Sequence, residues 1–419
     1  MSEVRSEMGQ ASRLLAGTAG TALLGVAYGI FATRRLDAAA VAAFTHALSI
    51  IALLQIGLGP INATVARFSA EFAASGRLGM VRSLVREVNR RAARYCLLAL
   101  IPVLLAAVPL SRFWKYDSPV PLQVALLTVG ATVFLNVVRG TLRGLQLFGA
   151  FNVSTVSEAA IRLLSGVALL SFWVNATAGL LPYLLAVIVA LLLSASRLRD
   201  AWGEAEPLPV DGGAVRRFAA PMVLLMSTSA ALQNLDMLIV KRLFETGDAA
   251  VYGIAFYLSG RVMAVLVAPF NTLILPLVAS RAGTGRQPRS TVVRVAAVFV
   301  VVAAVPLAII GLWPRETMQL LYADRFAEAA SLLLPLAIAR LMGSLSHLLA
   351  LARAASGRFG FLAIFCTGVI GEIVALAIWH QTPAVVARVV LVSQAIVLVL
   401  LVLESMSGAG RRAARAGAA

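Results

Sequence analysis

The chain has 419 residues, of which 60% are hydrophobic and 13% charged, and its mean hydropathy is +0.90. Soluble globular domains carry about 25% charged residues and fewer apolar ones, so this composition excludes an ordinary water-soluble fold. The net charge is +17, but the basic residues lie in short groups between long uncharged segments, and no nucleic-acid-binding motif accompanies them. A membrane protein is therefore expected, and nucleic acid is not expected as a partner.

Twelve apolar segments are long enough to cross a bilayer as helices, which takes about 20 residues each. The predicted spans are 12–33, 38–66, 95–113, 120–140, 153–174, 178–196, 218–240, 249–276, 292–313, 327–350, 359–380 and 383–404. The predicted fold class is an all-α polytopic membrane protein with about twelve transmembrane helices.

The basic residues between the spans predict an orientation, because cytoplasmic loops keep Lys and Arg. With both termini in the cytoplasm, 24 of the 36 basic residues fall on the cytoplasmic side. The abundance of Arg and Ala indicates a bacterial protein. We therefore expect a multi-pass protein of a bacterial cytoplasmic membrane with cytoplasmic N- and C-termini.

Residues 200–217 form a polar segment with Pro and Gly, which predicts a cytoplasmic linker between six-helix lobes at 1–199 and 218–419. The two halves also share sequence. Gly59-Pro60-Ile61-Asn62 recurs as Ala268-Pro269-Phe270-Asn271, at an offset of 209 residues. A parallel repeat of this kind is how many transporters build a central site between two lobes.

Residues 78–94 have the pattern of an amphipathic helix, with Val81, Leu84, Val85 and Val88 on one face. Arginines occupy another face. We expect this segment to lie on the inner leaflet, where anionic lipid attracts each basic residue by about 1 kcal/mol.

Ionisable residues inside spans mark candidate sites, because each costs ~2.5–3.5 kcal/mol at the bilayer centre. Glu158 and Arg162 are four residues apart in the fifth span, in the order that favours an intrahelical pair. Two alternatives are open for them: a structural ion pair, or a site where Glu158 exchanges a proton or cation.

Asp236 and Arg261 lie on consecutive spans, both in the outer half of the membrane, and are expected to meet. Arg261 is the first choice for an anionic headgroup, because guanidinium binds phosphate through two parallel hydrogen bonds. Asn271 lies on the same span. Arg34 and Arg35 are candidates for the outer rim of the same site, and the alternative for them is a role as interfacial anchors at the end of a span. A buried pair with Asp236 is the alternative for Arg261.

Three other charged residues, Glu372, Arg340 and Arg388, are expected to satisfy one another. The three histidines have no ligand spacing, so no metal site is predicted. The sequence has neither a P-loop nor a nucleophile elbow, and an enzyme is not expected.

Several short segments resemble a known group of exporters. They are Leu142–Asn152 before the fifth span, Asp236 with Lys241, Ala250–Ala255, Pro269-Phe270-Asn271 with Pro276, and Leu321–Ala330. With twelve spans in this order, the chain resembles the multidrug/oligosaccharidyl-lipid/polysaccharide (MOP) exporter superfamily, in particular its polysaccharide-transport branch, the O-antigen-type flippases.

The resemblance implies two six-helix lobes around a central cavity that opens alternately to each side. It implies movement of a polyprenyl-diphosphate-linked oligosaccharide to the outer leaflet, for cell-surface polysaccharide assembly. No organic cofactor is expected, and coupling to H⁺ or Na⁺ through Asp236 or Glu158, with Arg162 as the partner of Glu158, is a hypothesis. The partners implied are the bilayer, the lipid-linked saccharide, and a polysaccharide polymerase or glycosyltransferases.

Two alternatives remain open. A cation-coupled multidrug exporter of the same superfamily would need an acidic or aromatic cavity for cationic substrates, and Arg261 argues against it. A non-transporting membrane scaffold for polysaccharide synthesis would tolerate replacement of Arg261.

Overall fold

The computed structural model describes residues 2–202, 208–209, 212–283, 289–355 and 359–416. These residues form thirteen α-helices, and residues Ala323–Ala329 form a 3-10 helix. In chain order the α-helices are α1 (Ser2–Arg35), α2 (Ala38–Ala74), α3 (Leu78–Phe113), α4 (Val120–Gly144), α5 (Phe148–Phe172), α6 (Ala176–Trp202), α7 (Gly212–Leu243), α8 (Thr246–Gly283), α9 (Arg289–Leu312), α10 (Pro314–Tyr322), α11 (Ala330–Ala355), α12 (Leu362–Ile378) and α13 (Pro383–Ala416). The described residues contain no strand, and the predicted all-α fold class is confirmed.

Each of the twelve predicted spans coincides with a helix. Ten helices in the described part of the chain are long and apolar enough to cross a membrane, while α12 is apolar but has 17 residues. The first predicted span coincides with α1, half of whose side chains lie outside the described residues. The chain is a multi-pass membrane protein. Helices suit this environment because they pair backbone N–H and C=O groups within one segment, where lipid offers no partner.

The chain divides into two compact units. Unit 1 comprises Met1–Ser227 and Glu245–Ala250, and unit 2 comprises Thr228–Phe244 and Val251–Ala419, so the division lies within α7. In the segment 200–217 that the sequence predicts as a linker, residues 203–207 and 210–211 lie outside the described residues.

In unit 1, α4 packs closely along α2 because two glycines of α4 face the α2 backbone. A Cβ at Gly140 would lie 2.6 Å from the backbone oxygen of Asn62, and a Cβ at Gly144 would lie 2.5 Å from that of Ala66. Small residues four apart let membrane helices approach each other in this way.

A buried tyrosine connects α1, α5 and α6. Tyr28 of α1 is fully buried, and its hydroxyl donates a hydrogen bond to the backbone oxygen of Gly179 at 2.5 Å. Gly166 of α5 faces the Tyr28 ring so closely that an added Cβ would overlap the ring. The three helices are therefore held at a spacing that requires glycine at 166.

In unit 2, α11 packs against α9 and α13, and α12 packs against α13. Gly368 of α12 permits the close approach of α13, since a Cβ there would lie 2.5 Å from Cγ2 of Val397. These helices enclose the buried polar side chains described below.

The predicted amphipathic segment 78–94 is continuous with the third span, and together they form the 36-residue helix α3. Its apolar face contacts protein rather than lipid: Val81 and Leu84 pack against Phe68 and Phe72 of α2. The arginines at 82, 86 and 90 are exposed, as the pattern predicts. The expected amphipathic helix is present, and α2 extends far enough to cover its apolar face, while its position on the inner leaflet stays a prediction.

The two copies of the Pro-x-Asn repeat lie on helices of nearly equal length. Asn62 is on α2, which has 37 residues, and Asn271 is on α8, which has 38 residues. The halves differ in their next connection. Helix α10 and the 3-10 helix follow α9, whereas a short loop, residues 114–119, joins α3 to α4.

Candidate functional site

A buried ion pair in unit 2 connects α7, α8 and α11. Asp236 of α7 is fully buried, and its Oδ2 accepts a hydrogen bond from the hydroxyl of Tyr252 on α8 at 2.7 Å. Nη2 of Arg340 on α11 lies 3.4 Å from the same oxygen. No hydrogen bond from a described side chain reaches Oδ1.

Arg340 is held by several groups at once. Its guanidinium donates to the backbone oxygen of Gln233, one turn before Asp236, and lies 4.3 Å from the centre of the Phe256 ring. Only 6% of the side chain is exposed. Its Nε–H has no hydrogen-bond partner among the described residues. The guanidinium therefore pairs with Asp236 and still has an N–H donor that is not used by the described residues.

A second carboxylate belongs to the same group. Glu372 of α12 is buried, and neither of its oxygens accepts a hydrogen bond from the described residues. It interacts electrostatically with Asp236 and Arg340. Two carboxyl groups thus lie near one guanidinium, so both could be ionised only with an excess negative charge where charge is costly. Carboxylate oxygens with unused lone pairs are suited to bind a proton or a hard cation.

The polar group continues along one face of α7. Ser229 and Gln233 precede Asp236 at helical spacing, and Ser229 Oγ lies 3.0 Å from Nδ1 of His347 on α11. Gln394 of α13 donates to the backbone oxygen of Leu232 at 2.5 Å. Polar side chains buried inside a membrane protein cost free energy, and those that are present usually mark a functional site. The polar group of unit 2 is therefore the first candidate for ion binding.

The partner of Asp236 differs from the sequence-based expectation. Arg340 fills the place that was expected for Arg261. Arg261 of α8 is partly buried, with its guanidinium 5.1 Å from the centre of the Tyr257 ring. Of the group formed by Glu372, Arg340 and Arg388, only the electrostatic interaction of Glu372 with Arg340 is present, because Arg340 forms its ion pair with Asp236 and Arg388 is exposed.

The other predicted substrate residues are Arg34 and Arg35 in unit 1 and Asn271 in unit 2. Arg34 and Arg35 are exposed in the last turn of α1, where positive charge is favoured by the helix dipole. Asn271 lies in α8, and its side chain is outside the described residues.

Unit 1 contains a second charged group, centred on Glu158 of α5. The pair with Arg162 that the spacing predicts is present, and Arg139 of α4 binds the other carboxylate oxygen at 2.8 Å. Arg139 also donates to Ser154 Oγ at 2.9 Å and to the Ser154 backbone oxygen at 2.8 Å. Ser194 of α6 donates to Ser154 Oγ at 2.6 Å. Glu158 is therefore clasped by two arginines, one of which is anchored by serines.

Sequence reasoning missed the second arginine of this clasp. Arg139 lies at the inner end of the predicted fourth span, 120–140, and is counted there only as a cytoplasmic basic residue with no partner assigned, whereas it lies well within α4, which continues to Gly144. A signal was present: Arg139 and Arg143 are four residues apart and so extend one helix face. Nothing in the sequence spacing of Tyr252 indicates its contact with Asp236.

The histidines each contact a protein group. Nδ1 of His46 lies 2.7 Å from the hydroxyl of Tyr116, and Nδ1 of His380 lies 3.1 Å from the backbone oxygen of Leu376. Tyr116 is in the loop after α3, where burial raises the pKa of its phenol above the ordinary value. In the part of the chain that the structure describes, no three His, Cys, Asp or Glu side chains form a cluster that could hold a metal ion.

Comparison with known proteins gives structural matches only. No family model and no curated protein matches the sequence. The inward-facing structure of a multidrug resistance MATE family transporter of the MOP superfamily has a TM-score of 0.75 and 13% identity, and the match covers 94% of this chain and 93% of that one.

Two further structures extend the comparison. The inward closed conformation of the lipid II flippase MurJ has a TM-score of 0.70 and 12% identity, covering 94% of this chain and 87% of MurJ. The eukaryotic MATE transporter AtDTX14 has a TM-score of 0.64 and 14% identity, covering 94% of each chain. The polysaccharide-transport branch suggested by the sequence motifs stays a prediction. Over nearly its whole length, the chain has the fold of the MATE and MurJ transporters of the MOP superfamily.

Proposed function

We propose that this protein is an alternating-access flippase that moves a polyprenyl-diphosphate-linked oligosaccharide from the inner to the outer leaflet of a bacterial cytoplasmic membrane. The fold shared with MATE transporters and MurJ supports a transporter. Polysaccharide polymerases or glycosyltransferases are the proposed partners, since they would consume or supply such a substrate.

The observation that carries the transport proposal is the buried charged group of unit 2. Asp236 and Glu372 are buried carboxylates that share Arg340, and Glu372 accepts no hydrogen bond from the described residues. Burying such a charge in a membrane costs ~2.5–3.5 kcal/mol, and groups that persist there usually lie on ion pathways. Binding of H⁺ or Na⁺ at these carboxylates would remove the excess charge and so couple ion movement to the transport cycle.

Of the two acids assigned to coupling from the sequence, Asp236 fits this role better than Glu158. Both oxygens of Glu158 are bound by arginines, so a cation would have to displace a guanidinium there. Asp236 has one oxygen that receives no side-chain hydrogen bond. Glu158 and Arg162 therefore belong to a different site, which is treated below.

The basic residues support the proposed substrate class. Arg261 is partly buried on a membrane helix, and the guanidinium fork matches phosphate oxygens. We assign Arg261, Arg34, Arg35 and Asn271 to the diphosphate and the first sugars. A positively charged site keeps these polar groups out of hydrocarbon, where each unsatisfied one costs several kcal/mol.

The test uses proteoliposomes loaded with fluorescent polyprenyl-diphosphate saccharide, with leaflet exchange measured by an impermeant quencher or lectin. We expect flipping by the wild type and at least a tenfold loss in Arg261→Gln, because a charge-assisted hydrogen bond is worth about 1.5–3 kcal/mol. Arg388→Gln, an exposed arginine of the same unit, is the matched control. Flipping that is equal in Arg261→Gln and the wild type would overturn the substrate assignment.

Ion coupling is tested in the same vesicles with imposed proton or sodium gradients. Asp236→Asn is expected to flip at a rate that no longer responds to the gradient. If wild-type flipping is unchanged by ionophores, the coupling proposal is wrong. The multidrug exporter, which the MATE similarity keeps as the second candidate, predicts gradient-driven efflux of cationic dyes without saccharide flipping. A scaffold predicts neither activity.

A further inference from the structure

The charged group of unit 1 has more positive than negative groups. Its arginines are Arg139, Arg143 and Arg162, and its only carboxylate among the described residues in contact with them is that of Glu158. Arg139 and Arg143 also repel each other. The group therefore carries two positive charges in excess, within helices α4 and α5 that are long and apolar enough to span a membrane.

The arginines differ in how fully they are used. Arg139 donates to Glu158 and twice to Ser154, so its hydrogen-bonding capacity is largely taken. Arg162 binds Glu158 and lies 4.4 Å from the centre of the Tyr183 ring, but its buried Nε–H has no hydrogen-bond partner among the described residues.

Arg143 is in a similar position. Its Nη2 donates to Asn62 Oδ1, and its guanidinium lies 5.7 Å from the centre of the Phe151 ring. The buried Nε–H again has no hydrogen-bond partner among the described residues. The Asn62 amide and the Phe151 ring stabilise the Arg143 guanidinium, as the Tyr183 ring stabilises that of Arg162, but none of these groups supplies a negative charge.

The group is accessible to a ligand. Side chains of Arg139 and Arg162 are each 13% exposed, and that of Glu158 is 14% exposed. Buried charges in proteins are normally neutralised by a partner. A tetrahedral oxyanion such as phosphate is a suitable partner for arginine, because the guanidinium donates two parallel hydrogen bonds to its oxygens. The excess charge, the unused N–H donors and the residual access together fit an anion with several oxygens.

We propose that Arg139 and Arg162, with Arg143 one turn from Arg139 on α4, form a phosphate-binding site within unit 1, in which Glu158 is the built-in counter-ion that an incoming phosphate group displaces from Arg162. Arg139 is the fixed wall of the site, because the serines hold it in place. Arg143 and Arg162 supply the free donors. This inference concerns binding alone and holds whether or not the protein flips a lipid-linked saccharide.

Two sources of phosphate are compatible with this chemistry: a lipid headgroup, and a soluble phosphate that enters from water. The full-length protein is placed in phosphatidylcholine nanodiscs, and its thermal unfolding is followed by tryptophan fluorescence. One arm adds inorganic pyrophosphate, and the other includes graded fractions of phosphatidic acid in the nanodisc. A ligand that binds only the folded state raises the unfolding midpoint with concentration, which yields an apparent Kd.

The wild-type midpoint is expected to rise with at least one probe. A response to phosphatidic acid alone identifies a lipid headgroup, and a response to pyrophosphate identifies access from water. Arg143→Gln and Arg162→Gln are each expected to weaken the affinity by about tenfold or more, the loss of one charge-assisted hydrogen bond. Glu158→Gln is expected to tighten binding, because it removes the competing carboxylate.

Arg86→Gln, an exposed arginine on α3 of the same unit, controls for general attraction of anions in the pyrophosphate arm and should keep the wild-type affinity for that probe. In a purely structural ion cluster, a substitution would lower the unfolding midpoint without probe and leave the probe-dependent rise unchanged. A binding site instead predicts opposite changes in probe affinity for Glu158→Gln and Arg143→Gln. The proposal is overturned if neither probe raises the wild-type midpoint, or if both arginine variants respond as the wild type does.

Discussion

Replacement of Arg340 by methionine tests whether the unit 2 carboxylates depend on that guanidinium. Asp236 is fully buried, so after Arg340→Met it would keep only the Tyr252 hydroxyl as a side-chain partner. Glu372 would lose the one positive charge, among the described residues, with which it interacts favourably. Breaking a buried ion pair from one side costs about 3–5 kcal/mol, because the remaining charge is uncompensated. Methionine retains most of the apolar bulk, so the loss reports charge rather than a cavity.

The free energy of unfolding is measured in mixed detergent micelles by circular dichroism. The double variant Arg340→Met/Asp236→Asn is expected to be more stable than Arg340→Met alone by about 2 kcal/mol, since a neutral amide is cheaper to bury than a lone carboxylate. Arg388→Met, at an exposed position, should lie within about 0.5 kcal/mol of the wild type. If Arg340→Met costs less than about 1 kcal/mol, or the double variant is no more stable than the single one, the ion-pair reasoning is refuted.

Two backbone positions provide further predictions by the same unfolding assay. Gly166→Ala places a Cβ inside the Tyr28 ring and should cost about 1–3 kcal/mol as overpacking, whereas Gly149→Ala in the same helix meets open space and should be neutral or stabilising. Equal effects of the two substitutions would contradict the packing described for α1 and α5. Gln146 has a φ of 58° in the turn between α4 and α5, so Gln146→Gly should stabilise the protein by about 1 kcal/mol. A destabilised Gln146→Gly would show that its side chain, and not the backbone conformation, governs this turn.

Hydropathy predicted the helices well because the bilayer imposes a minimum length on every span. The predicted and observed spans differ mainly at helix ends that extend beyond the apolar segment. Helix α3 begins at Leu78 although its apolar part begins near residue 95, since a helix can continue outside lipid wherever another helix covers one face. In the same way, α4 extends to Gly144, four residues past the predicted end of the fourth span, and so includes Arg143.

Contacts within one helix could be predicted, but contacts between helices could not. The Glu158–Arg162 pair follows from a spacing of four residues on one helix. The pairing of Asp236 with Arg340 joins residues 104 positions apart, and Arg261 was the nearer candidate in sequence. Proximity along the chain does not determine which faces of α7, α8 and α11 meet. That depends on packing of small and large side chains along each interface.

The glycine contacts between α2 and α4 have a consequence for motion in unit 1. Where a carbonyl oxygen occupies the volume that a methyl group would need, one helix cannot slide along the other without a steric clash. Helices α2 and α4 must therefore travel as one rigid body in any conformational cycle, carrying the guanidinium groups of α4 with them. Any hinge in unit 1 is therefore expected between other pairs of helices, where close backbone contacts do not prevent a change in the angle between the helices.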